Sequence, residues 1–235
     1  LPTRTIVISD IHGCFKEFKT TLENLEYQPG QDKLILLGDY IDRGPQSLEV
    51  VEYVMELSEH ENVVVLGGNH EDMFISFLEE PEFNEENRFF RNGGKKTVES
   101  FCKPYQVYEV NPAAKQVILE NYQKHIEFLK SLPDYYEDGD YIYVHAGVDL
   151  DLQNWKNTSK NDFRWLREAF WNQKNETGKT IVFGHTPTPF LHEHPTHGTG
   201  VKSNDIWYHP QQDRICIDGG CVFEGGKLNA LVLED

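Results

Sequence analysis

Five short polar clusters stand out because each follows an apolar run: Asp10 with His12, Asp39 with Asp42 and Arg43, Asn69 with His70, then His145, then His185. Asp, His and Asn donors without thiolate suit a divalent ion such as manganese, iron or zinc, and do not suit a structural cysteine-rich zinc site. Any one cluster alone is weak evidence, since a lone histidine at the end of a strand is more often a satisfied structural residue. All five in one order argue for a shared site. Glycines at 13, 38, 44, 67, 68, 147 and 184 flank them, where bulk would block close backbone approach to metal or phosphate.

Convergence requires a scaffold that brings distant segments to one edge. Residues 5–9, 33–37 and 62–66 are apolar runs of strand length. Between the first two, Phe15, Phe18, Leu22 and Leu25 recur at helical spacing, and Leu48, Val51 and Met55 mark a second helix after Pro45. The pattern predicts a parallel βαβαβ sheet, whose C-terminal strand ends share one edge where ligands bind. From about 71 to 135 the chain turns helical and acidic, with a helix opening at Asn111-Pro112, and reads as an inserted helical cap. Strands resume at 141–144, 180–183, 214–217 and 230–233, a closing meander expected to form a second sheet; 190–209 reads as a long loop. The expected class is α/β, a two-sheet sandwich with flanking helices, forming one domain over 1–235.

Composition narrows the partners. Thirty-nine acidic against 22 basic side chains give a net charge of −17, a field that repels nucleic-acid backbones and anionic lipid unless cations are bound. No apolar run approaches the roughly 20 residues of a membrane span, and the N-terminus enters a strand without the pattern of a secretory leader, so a cytoplasmic protein is expected. Cys14, Cys102, Cys216 and Cys221 show no CxxC spacing and read as reduced thiols; Cys14 reads as a packed one.

The segments SDIHG (9–13), GDYIDRG (38–44), GNHE (68–71), HAG (145–147) and GHT (184–186) resemble the calcineurin-like metallophosphoesterases, with the DRG typical of the phosphoprotein phosphatase branch. The Asn92-Gly93-Gly94 turn and the run Trp165, Leu166, Arg167, Glu168 are most similar to bacterial serine/threonine protein phosphatases. Ser9 and Ala146 stand where many members have Gly. The resemblance implies a two-sheet metallophosphoesterase fold and two divalent ions, manganese first, with Fe, Zn, Co or Ni as alternatives. It implies that Asp10, His12 and Asp39 hold one ion and that Asp39, Asn69, His145 and His185 hold the other. It assigns His70 as general acid with Asp42 orienting it. Arg43 is the expected phosphate clamp, because a planar guanidinium matches phosphate oxygens. Arg167 is expected as the second, with Arg164 one helical turn earlier as its rival and a surface salt bridge as the latter's plain reading.

The function expected from this resemblance is hydrolysis of phosphoserine and phosphothreonine esters. The rivals are symmetrical hydrolysis of dinucleoside tetraphosphates and a silent scaffold on the same fold. A scaffold should lack ligands, whereas none of the six ligand positions is replaced. The expected partner is a phosphoprotein or small phosphate ester, with neither nucleic acid nor membrane. The histidine-rich run 192–197 reads as a solvated loop before a third metal site, the tryptophans as core before groove, and Asn92 to Lys96 as a positive spot beside the site or a plain turn.

Overall fold

The computed structural model describes residues 4–234, so residues 1–3 and 235 of the expected domain lie outside it. In chain order the elements begin β1 (Arg4–Ile8), α1 (Phe15–Asn24), β2 (Lys33–Leu36), α2 (Ser47–Leu57) and β3 (Val63–Val65). Five helices follow, α3 (Asn69–Glu79), α4 (Arg88–Arg91), α5 (Gly94–Cys102), α6 (Pro112–Asn121) and α7 (Gln123–Ser131). The remainder is β4 (Tyr135–Asp138), β5 (Tyr141–Val144), α8 (Lys160–Trp165), α9 (Glu168–Asn172), β6 (Thr180–Phe183), α10 (Thr188–His192), β7 (Trp207–Tyr208), β8 (Arg214–Cys216) and β9 (Ala230–Glu234).

Two sheets result, ordered β3-β2-β1-β9 and β4-β5-β6-β8-β7. β1, β2 and β3 run parallel as expected, with Ile8 opposite Leu36 and Leu36 opposite Val65. The closing strands differ from expectation in two ways. β5, β6 and β8 are parallel neighbours, so they are joined by crossovers and do not meander. The last strand does not enter the second sheet; β9 lies antiparallel to β1, with Arg4 opposite Glu234. The expected long loop also carries structure, since α10 reaches His192 and β7 pairs with β8.

Strand alternation distributes the apolar residues. Val7, Ile35, Leu37, Tyr143, Val182, Ile215 and Leu231 face inward between the two sheets. Their neighbours Ile6, Ile8, Leu34 and Leu36 face outward, where α1, α2, α3, α5, α6 and α7 cover them. Ile142, Val144, Ile181, Phe183 and Cys216 face the other outer side, packed under Phe163, Phe170 and Trp207. α1 buries Phe18 and Leu22, as its spacing requires, and α6 opens on an Asn111 side chain accepting from the Ala114 amide at 3.1 Å with Pro112 in the first turn. With the apolar faces consumed in this way, polar side chains gather at strand ends.

Candidate active site

Asp10, Asp39 and Asn69 follow β1, β2 and β3, while His145 and His185 follow β5 and β6. All sit at C-terminal ends of mutually parallel strands, on the edge where two facing sheets meet. The loops are tied to one another through backbone bonds from Asp10 N to Gly38 O (3.1 Å), His12 N to Asp39 O (2.9 Å) and Gly184 N to His145 O (2.8 Å). Asp10, His12, Asp39, Asp42, Arg43 and His185 all have positive φ, between 46° and 72°, which side-chain-bearing residues adopt only when their surroundings enforce it. Gly13 and Gly44 meet backbone to backbone: a methyl on Gly44 would lie 2.0 Å from the His12 carbonyl oxygen, and one on Gly13 would lie 2.8 Å from that of Gly44.

Asp39 is the centre of the arrangement. Its Oδ2 lies 3.6 Å from His12 Nε2, 3.4 Å from His145 Nε2 and 3.9 Å from His70 Nε2, and its Oδ1 accepts the His70 amide at 3.1 Å. Burial alone would raise this carboxyl, yet the imidazoles of His145, His70 and His12 hold it well below the usual range. Asp10 stands 3.9 Å from His12 Nε2, and the Asn69 side-chain oxygen is 2.9 Å from His145 Nε2. Every one of these residues is buried.

The donor set fits divalent ions. His12 Nδ1 is held by the Ile41 carbonyl at 2.7 Å and His145 Nδ1 by that of Leu37 at 2.8 Å, which turns both Nε2 atoms toward the acidic centre. Burial opposes protonation of His145, but Asp39 and Asp10 raise it to about 9, so a cation would bind there by displacing that proton. His185 Nε2 is buried with no hydrogen-bond partner, an orphan atom that a cation would satisfy. Burial, together with neighbouring imidazoles, drives His12 and His185 well below the ordinary imidazole pKa, so both are neutral and able to coordinate. Two groups have donor atoms close enough to share an ion, His12 with Asp39 and His70, and Asp39 with His145 and His185.

His70 differs from the other imidazoles in its second nitrogen. Its Nδ1 contacts Asp42 Oδ2 at 2.6 Å, and Asp42 in turn accepts from Thr97 Oγ1 at 2.5 Å. Burial opposes protonation of His70, but Asp39 and Asp42 outweigh it and hold the group above its ordinary value. A buried imidazole that keeps its proton can deliver it.

A cavity of about 330 Å³ opens over these groups, lined among others by Asp39, Arg43, Asn69, His70, Asn92 and Arg167. Arg43 Nη1 reaches His12 Nε2 at 3.1 Å, and Arg167 Nη1 donates to Thr186 Oγ1 at 3.2 Å. The two candidate arginines part company. Arg164 is buried and is no surface salt bridge: it contacts Asp72 at 2.6 Å, Asp134 at 2.9 Å and the Leu132 carbonyl at 3.0 Å. Asn92 reaches the cavity, whereas Lys95 and Lys96 turn to Glu99, so the positive spot is largely self-paired. Gly93, at φ 98°, lets this turn press on Arg43, whose Cγ would be 2.6 Å from an added methyl, and its carbonyl accepts the Arg43 amide at 3.1 Å.

Trp165 lines the cavity, while Trp171 and Trp207 are core. In the histidine-rich run, His192 is buried between Thr199 and the Asp205 carbonyl, and His194 stacks on His197. None of the three joins a metal-capable group among the described residues. Cys14 is packed, with its thiol toward the His12 carbonyl at 3.7 Å and in contact with Cys221.

Three contributors escaped the sequence reading. Glu71, fully buried, accepts backbone amides of Gly68 (2.8 Å), Asp39 (2.9 Å) and Tyr40 (2.8 Å), clamping the β2 end to the start of α3. Ser9 donates its hydroxyl to Asp10, a bond that a glycine there could not make. Asp218, the strand-end carboxyl after β8, lines the cavity and is pushed well above the carboxylate range by burial and by Asp10. A strand-end Asp followed by two glycines was its one visible signal.

Comparison with known proteins agrees with this geometry. A bis(5'-nucleosyl)-tetraphosphatase, asymmetrical, of Geobacillus sp. is 29% identical over 95% of this chain and 88% of its own length. A solved structure described as a candidate diadenosine tetraphosphatase superposes with a TM-score of 0.62 at 19% identity, covering 99% of this chain and 91% of that one. The cold-active protein-tyrosine phosphatase of a psychrophilic Shewanella gives 0.67 at 18%, covering 100% and 76%. At such identities the two structures speak for the fold alone. The sequence pattern of the calcineurin-like phosphoesterase family matches residues 3–216, most of the chain, and with it the protein belongs to that family of phosphoester hydrolases.

Proposed function

We propose that this protein is a dinuclear-metal hydrolase of nucleoside polyphosphates that cleaves the anhydride chain by attack of water. The observation that carries the chemistry is the convergence on Asp39 of donors from both sheets, with the His70–Asp42 pair at the same cavity. Asp10, His12 and Asp39 would hold one ion, and Asp39, Asn69, His145 and His185 the other. When bound, the two cations supply an acidified water and neutralise charge gathering on the phosphoryl group. Manganese is the first ion to test, because the donors are imidazole, carboxylate and amide oxygen without thiolate.

The chain's own groups do the rest. Arg43 and Arg167 line the cavity and offer paired N–H donors to phosphoryl oxygens. Their charges offset the field of a chain at net −17, which otherwise repels a polyphosphate. Asp42 fixes the ring of His70, so its Nε2 faces the reacting region, where its proton can hydrogen-bond a departing phosphate oxygen or be transferred to a more basic alkoxide. Nucleotide substrates are put first because the relatives at 29% identity, covered over 88% of their length, are named as tetraphosphatases. A phosphoprotein substrate stays second on one observation: Asn92 and Trp165, from the two segments resembling bacterial protein phosphatases, both line the cavity.

The test is a turnover panel of diadenosine tetraphosphate, phosphopeptides and p-nitrophenyl phosphate with each divalent ion. ATP plus AMP from the tetraphosphate, formed faster than phosphate from any peptide, is expected. Two ADP would transfer the assignment to symmetrical cleavage, and faster peptide turnover would transfer it to a protein phosphatase.

A further inference from the structure

We infer that Phe190 and Phe223 form a stacking subsite for a nucleobase, which selects nucleoside polyphosphates over phosphate chains that carry no base. This deepens the proposed function and rests on it. The two rings are 67% and 50% exposed, two of the five large apolar side chains at least half exposed among the described residues. Ligand pockets are lined mainly by apolar and aromatic side chains with a few polar groups. Both rings line the catalytic cavity, and both also line a neighbouring groove of about 310 Å³ whose floor includes Pro187 and Pro189. That volume is at the lower end of small-molecule sites, enough for one planar ring system beside a phosphoryl group already seated over Asp39.

The rings are held out by backbone that is itself secured. Phe190 stands on α10, whose Thr188 amide bonds to the Asp218 carbonyl at 2.8 Å and whose Leu191 and His192 are buried. Phe223 donates its amide to the Gly220 carbonyl at 2.9 Å, and its own carbonyl accepts from Gly226 at 2.9 Å. No ring contact joins Phe190 to any other aromatic among the described residues, and the residue is 67% exposed. Phe223 also couples the subsite to the phosphate clamp, since the Arg43 guanidinium lies over its ring at 5.4 Å. The groove also holds Lys202 beside Glu193 and Glu224, so it adds no net positive charge and recognition there rests on the rings. Stacking tolerates any base and needs no hydrogen-bond code, so selectivity falls on the presence of a base more than on its identity.

The experiment compares wild type with Phe190→Ala and Phe190→Trp on diadenosine tetraphosphate, inorganic tripolyphosphate and a phosphotyrosyl peptide, with equilibrium dialysis of AMP as a readout independent of turnover. Phe190 is exposed, so both variants should fold. From stacking energies measured by alanine substitution, Phe190→Ala should lower the ratio of kcat/KM for diadenosine tetraphosphate over tripolyphosphate by roughly 5- to 100-fold, mainly through KM. AMP binding should weaken in step, and Phe190→Trp should restore both. If wild type prefers the dinucleotide but Phe190→Ala leaves the ratio and AMP binding within roughly twofold, the subsite is overturned while the substrate reading stands. If wild type shows no preference for the dinucleotide over tripolyphosphate, the substrate reading falls and the subsite with it. A preference for the phosphotyrosyl peptide that Phe190→Ala abolishes would overturn the nucleobase assignment in favour of a tyrosyl ring.

Discussion

Replacing Glu71 by Gln changes one atom of a fully buried side chain and tests how the loops of the candidate metal site are held. The carboxylate Oε2 accepts the amides of Asp39 (2.9 Å) and Gly68 (2.8 Å), and Oε1 accepts that of Tyr40 (2.8 Å). In the better of its two orientations the glutamine oxygen keeps Asp39 and Gly68, and the new NH₂ group confronts the Tyr40 amide donor to donor. An orphaned buried amide costs about 1–3 kcal/mol, and downgrading two charge-assisted bonds to neutral ones costs about 1 kcal/mol each. Burial, and secondarily Asp39, pushes Glu71 up to about 7, so removing its charge returns part of this. The net loss is about 2–4 kcal/mol, a large share of the ~5–15 kcal/mol that stabilises a typical domain. Urea unfolding followed by tryptophan fluorescence measures it, and titration with manganese should show affinity lower by about 10- to 100-fold, because the amides of Asp39 and of Gly68, next to Asn69, keep only a neutral acceptor and the Tyr40 amide keeps none. Stability within about 0.5 kcal/mol of wild type, with unchanged metal affinity, would refute the reasoning and reduce Glu71 to a bystander.

His70→Asn should slow hydrolysis of a phosphoserine peptide by about 10²- to 10⁴-fold and that of p-nitrophenyl phosphate far less, because nitrophenolate departs without a proton; equal losses on both esters would remove the acid role. Arg164→Met should cost about 3 kcal/mol in urea unfolding, since the buried guanidinium holds Asp72, Asp134 and the Leu132 carbonyl; a loss under about 1 kcal/mol would return Arg164 to the surface-bridge class. His209, buried with Arg214 at 3.3 Å, is lowered to about 4, so the folded state refuses a proton that the unfolded chain binds below about 6.5. Its contribution is therefore intact at neutral pH and is lost as pH falls toward 4, by up to about 3 kcal/mol; His209→Gln should flatten that decline in stability measured from pH 7 to 4, and an unaltered slope would contradict the assignment.

The loops that carry the candidate ligands were legible because each follows an apolar run, and parallel strands deliver their C-terminal ends to one edge. Less legible was that the donors come from two sheets: Asp10, Asp39 and Asn69 from one, His145 and His185 from the other, joined only because Val7, Ile35, Tyr143 and Val182 pack face to face. No local pattern records that pairing. For the same reason β9 was placed in the wrong sheet, since its choice of β1 as antiparallel partner is tertiary. Arg164 and Arg167 looked equivalent on the assumption of one continuous helix. In fact α8 ends at Trp165, Leu166 is extended at ψ 143°, and the chain turns before Arg167, which sends the two guanidinium groups to different places. Glu71 stood inside a recognised motif, but the three amides it serves belong to segments whose proximity is a property of the fold.

The backbone contact between Gly13 and Gly44 makes the loops after β1 and β2 mechanically interlocked, like teeth of one gear. A side chain on Gly44 would run into the His12 carbonyl and one on Gly13 into the Gly44 carbonyl, so a change at one position makes no room for a change at the other. In a library randomised at both sites and selected for turnover, survivors carrying any other residue at Gly44 should be absent, whatever stands at Gly13, because the space in question is already filled by the His12 carbonyl.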